Sequence, residues 1–89
     1  MRLGFLTGGP PNAPRDPERP KSELVADAMD CYVDWREECA AVEAAYARWS
    51  SAPPEEAELP HAAYSAALDR EQSAAGVYHR ALDRLASAA

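Results

Sequence analysis

The chain has 89 residues, a formal net charge of −6 and 27% charged residues. That length allows one small domain, and a chain so short buries only about 60% of its extended surface, so its core is thin. The acidic balance excludes nucleic acid and anionic membrane as principal partners, because both reward clustered Lys and Arg; here one lysine, Lys21, stands beside eight arginines.

Residues 1–21 hold three of the four glycines, five of the eight prolines and the charged run RDPERPK. No helical period runs through them, which predicts an extended Pro/Gly-rich arm with a small apolar tip at Leu3, Phe5 and Leu6. Gly4 and Thr7-Gly8-Gly9 interrupt that tip, leaving it short of the roughly 7–15 apolar residues of a secretory leader. No stretch approaches the roughly 20 apolar residues of a membrane span. These features lead us to expect a soluble, cytoplasmic protein, with secretion as the alternative.

Ser22 is the expected N-cap of a first helix, with Glu23 placed where negative charge suits the helix dipole. The helix is predicted over 22–50, ending where Ser51-Ala52-Pro53-Pro54 halts it. An acidic loop follows over 51–59, and Pro60 is expected at the first position of a second helix over 60–86, with a tail over 87–89. Gly76 lies inside that second helix, where it costs about 1 kcal/mol against alanine, and a packing reason is expected for it. Cys31 and Cys39 on one helix would stand about 12 Å apart, beyond the reach of a disulfide, and a reducing compartment follows.

Within the first helix, Val25, Ala28, Tyr32, Trp35, Cys39, Val42, Tyr46 and Trp49 recur in steps of three and four. The second helix carries the matching series His61, Tyr64, Leu68, Glu71, Ala75, Tyr78, Leu82 and Leu85. Folded antiparallel, the two series pair Trp49 with His61, Tyr46 with Tyr64, Cys39 with Glu71, Trp35 with Ala75, Tyr32 with Tyr78 and Ala28 with Leu82. Large faces small at Trp35–Ala75 and Ala28–Leu82, as interdigitating helices require. The fold class is thus all-α: an antiparallel two-helix coiled-coil hairpin, with completion to a four-helix bundle by dimerisation or a partner.

Beside this seam runs a second, smaller-residue edge of Leu24, Cys31 and Ala45 on the first helix and Ala67, Ala74, Ala81 and Ala88 on the second. It is expected to be the interaction face, because an apolar edge on a two-helix hairpin needs covering. The occupant would be a second copy, giving a homodimer, or an unidentified protein partner. Glu71 is the one acid in the seam, expected beside Cys39 and within reach of Arg36, where it would fix the register. Asp27, Asp30, Asp34 and Glu37 form a solvated acidic face on the first helix, with Arg70, Arg80 and Arg84 outside the second.

Chemistry-bearing patterns are sparse. The sole Glu-x-x-His, Glu58-Leu-Pro-His61, straddles a loop-to-helix junction and contains a proline. Cys39, Glu71 and His79 do not converge on one turn, and no serine sits in a Gly-x-Ser-x-Gly elbow. No catalytic residue, metal ligand or cofactor site is therefore expected, and the reading is of a non-enzymatic interaction module, with a small enzyme or metal-binding helical bundle as the more distant alternative.

The stretches YVDWREECAAVEAAYARW and AAYSAALDREQSAAGVYHRAL resemble short acidic helical-hairpin proteins of GC-rich bacteria with no assigned activity, a likeness that covers about residues 22–86 and implies the hairpin alone. Trp49-Ser50-Ser51 also resembles the Trp-x-Gly turn of the type VII secretion helical hairpins, which would imply a secreted protein. Here serine replaces that glycine. The family's Tyr-x-x-x-Asp/Glu exit signal is missing too, since Leu68 follows Tyr64 and Leu82 follows Tyr78 at that spacing.

Overall fold

A computed structural model describes residues 19–88. The arm expected over 1–21 lies outside those residues up to position 18. Two helices of equal length, α1 (Lys21–Ser51) and α2 (Glu58–Ala88), pack antiparallel against each other. Among the described residues there is no strand.

Helix α1 begins one residue before the expected start, and Ser22 is not its cap. Pro20 holds that position in extended conformation, φ −61° and ψ 146°, with no side-chain cap. Its carbonyl accepts from the amides of Glu23 at 3.0 Å and Leu24 at 3.3 Å. A backbone carbonyl preset by the proline ring thus opens the helix, and Ser22 falls in its first turn. Arg19 reinforces the entry by reaching forward to Glu23 and Asp27. The hydrogen bond and charge of Asp27 raise the guanidinium's pKa above its ordinary value.

The connection is shorter and more regular than an acidic loop over 51–59. Ser51 belongs to α1 and donates its hydroxyl to the Ala47 carbonyl at 2.8 Å. Ala52 turns extended at ψ 141°, as the residue before a proline is forced to do. One 3₁₀ turn, Pro54–Glu56, follows, and the His61 amide donates to Ala57 at 2.9 Å to open α2. Pro60 is therefore the third helical residue rather than the first. It is tolerated there because first-turn amides have no intrahelical acceptor to lose. At the other end α2 runs on to Ala88, through the residues expected as a tail.

The register follows the expected pairing. Tyr32 meets Tyr78 with ring centroids 5.6 Å apart, Tyr46 meets Tyr64 at 5.6 Å and Trp49 meets His61 at 4.6 Å. The rotation of the helices about their axes does not follow it. The line of closest packing passes through Leu24, Ala28, Ala45, Ala67 and Ala81, the five buried residues of the described chain. Four of these are alanines, whose single methyl lets two backbones draw close. Aromatic rings cannot fit between helices so near, and they slide to one side of the contact line, where they stack on one another.

Gly76 has no packing role. A methyl built on it would meet only the mobile end of Arg80, at an ordinary 3.5 Å.

Candidate interaction surface

The small-residue edge expected to face a partner is the inside of the hairpin. Leu24 and Ala45 are 3% exposed, and Ala67 and Ala81 are 1% exposed. Cys31 and Ala74 are half-buried on the same line, and only Ala88, at the end of α2, is open. These side chains are spent on holding α1 to α2 and are not available to a second chain. The physical reason is size: with alanine at successive positions of α2, the closest helix approach falls there, and not along the bulkier series.

The surface left over is the aromatic flank. At the end formed by the start of α1 and the close of α2, Val25, Met29, Tyr32, Tyr78, Leu82 and Leu85 line an apolar groove of about 360 Å³. Met29 is 64% exposed, and Val33, one helical turn beyond it, is exposed as well. Toward the connection, Tyr46 is 52% exposed beside Trp49 and Tyr64. Two ring clusters mark the ends of the flank. In the first, Trp35 stacks on Tyr78 at 5.8 Å and 14°; in the second, Trp49 stacks on Tyr64 at 5.3 Å and 22°. Such stacks add about 0.5–1.5 kcal/mol each beyond burial and hold the rings in fixed orientations.

Between the clusters lies the polar part of the seam. Glu71 pairs with Trp35, not with Arg36: the indole Nε1 donates to the Glu71 carboxylate at 2.7 Å. Trp35 precedes Cys39 by one turn, so its long ring spans the step that Arg36 was expected to cross. The Arg36 guanidinium lies 5.8 Å from the Trp35 ring centroid, on the flank. Cys39 is a half-buried free thiol, as is Cys31. On the opposite side of the hairpin Arg70 donates to Glu38 at 3.4 Å, an exposed ion pair that covers the middle of the alanine line.

Some of this surface escaped sequence reasoning. Met29 and Val33 sit outside the three-and-four series, Met29 on a side expected to be mostly polar, although their spacing of four from each other and from Val25 marks a continuous apolar strip. Among the described residues no group of three or more His, Cys, Asp or Glu side chains gathers to hold a metal ion. None of the helices of the described residues is long and apolar enough to cross a membrane. Comparison with protein-family models, with curated proteins and with solved structures returns no match to this chain.

Proposed function

We propose that the hairpin is a non-enzymatic protein-interaction module that docks through its aromatic flank. The observation that carries this reading is the half-open groove of Val25, Met29, Tyr32 and Leu82, which continues through Val33 and Tyr46 along one side. Alanine burial supports the same reading from the other direction. Each buried methyl contributes only about 0.8 kcal/mol, so a seam made mostly of alanine leaves a hairpin marginal by itself. Covering the flank would supply the large apolar side chains that the seam lacks.

Rigid rings at a surface also suit recognition, because Tyr and Trp offer large contact area with few rotatable bonds. The acidic remainder keeps the free protein soluble and disfavours docking by its other faces on acidic partners.

Photo-crosslinking in the living cell tests the reading. A crosslinking residue placed at Tyr46 should trap a protein, and the same residue at Ala63, exposed and two helical turns before Arg70 on the opposite side of the hairpin, should not. Equal trapping at both positions, or none at either, would overturn the module reading.

A further inference from the structure

We infer that the occupant of the flank is a second copy of this chain, laid antiparallel across the first so that Arg36 of each copy meets Glu43 of the other. This deepens the interaction-module reading and rests on it.

Charge is the first support. The chain carries a net charge of −6, which would repel a second copy from most approaches. The flank is the exception. Met29 borders the groove, and steps of seven along α1 bring Arg36 and then Glu43 to the same side. One positive and one negative group stand there, two helical turns apart, and neither forms an ion pair among the described residues. Glu71, the other acid nearby, has its carboxylate engaged by Trp35. A side of α1 that carries one charge of each sign at two points is self-complementary under a two-fold axis perpendicular to the helices. That operation lays α1 over the α1 of the second copy in the opposite direction, and both Arg36–Glu43 pairs form at once.

Shape is the second support. In that register Tyr46 of one copy falls opposite Val33 of the other, and Tyr32 falls opposite Ala47. Each exposed ring thus meets a smaller side chain, and two rings do not collide. The open groove of one copy lies over the Tyr46–Trp49 cluster of the other, so the two apolar ends of the flank cover each other.

Area is the third. Two helices of 31 residues, at about 1.5 Å per residue and about 10 Å wide each, present a flank of roughly 900 Å². A specific interface needs about 800 Å² per partner. The flank is therefore large enough for a stable dimer without any other contact.

The test is a charge exchange in the full chain, read by light scattering and sedimentation, with circular dichroism to confirm helicity. The wild type should have twice the 9.6 kDa chain mass. Arg36→Glu and Glu43→Arg each set like charges opposite one another and should weaken association by about tenfold or more, while the double exchange should restore it to within about threefold. All three variants change exposed residues and should stay helical. A wild type that remains monomeric at high micromolar concentration overturns the inference. So does a dimer indifferent to the single exchanges, which would place α1 over α2 of the second copy instead. The crosslinking result separates this failure from that of the module reading. Trapping at Tyr46 of a species other than the chain itself ends the second-copy inference and leaves the module standing, whereas no trapping ends both.

Discussion

The two long edges of this hairpin make an instructive pair. One is composed of alanines with Leu24 and Cys31, the other of tyrosines, tryptophans, Val25, Met29 and Leu82. Hydrophobicity alone assigns the second to the interior, since it has far more apolar area to hide. The structure does the reverse: Ala67 and Ala81 are sealed, and Met29 and Tyr46 stand half in solvent. Two helices by themselves have a single contact line, and the closest line belongs to the smallest side chains. Larger residues can only flank it, one side covered and the other open. A third or fourth helix would be needed to cover them fully.

The sharpest way to break the comparison is to put the same charge on each edge. Ala81→Glu buries an uncompensated carboxylate between the helices, and a seam this thin should not survive it. A loss above about 3 kcal/mol, seen as collapse of the far-ultraviolet helical signal, is expected. Met29→Glu should leave that signal intact, with a change within about 0.5 kcal/mol in the dilute chain. It should instead abolish association at concentrations where the wild type associates. If both variants melted alike, the distinction between an inner and an outer edge would be lost.

Glu71 tests how far the polar step between the ring clusters matters. Its partner, the Trp35 indole, is half-buried and can turn to water, so Glu71→Leu should change the unfolding free energy read from urea titration by no more than about 1 kcal/mol. A loss above about 2 kcal/mol would mean that the carboxylate holds the register. Gly76 gives the smallest effect and the opposite sign. Because a methyl there meets only the end of Arg80 at 3.5 Å, Gly76→Ala should stabilise α2 by about 0.5–1 kcal/mol, read as a higher melting temperature. Destabilisation would reveal a close approach that the geometry does not contain.

The register was legible in the sequence because both apolar series keep unbroken steps of three and four, and only one antiparallel alignment sets Tyr32 on Tyr78 together with Trp49 on His61. The helix rotation was not. The rule that places the largest apolar residues at the contact line assumes helices spaced for leucine. Alanine at 67, 74 and 81 shortens that spacing and moves the line by one position on each helix. That stripe was visible, but its meaning depends on which helix faces it, and Leu24 and Ala45 supply the answer only once the chain is folded. Ser22 misled for a related reason. Cap preferences concern side chains, whereas here the carbonyl of Pro20 opens the helix. The Trp35–Glu71 bond was missed because opposite charge drew attention to Arg36, one residue along. An indole donor reaches across a helix pair as well as a guanidinium does, and Trp35 already pointed across the seam.

The central claim is that the alanine line is inside and the aromatic flank outside. Nuclear magnetic resonance with a soluble paramagnetic agent reads this directly, using the dilute, unassociated chain. The methyls of Ala67 and Ala81 should be protected from relaxation enhancement, while those of Met29 and Val33 should be strongly affected. Alanine methyls relaxed as fast as those of Val33, with Met29 shielded, would contradict the account and return the aromatic series to the interior.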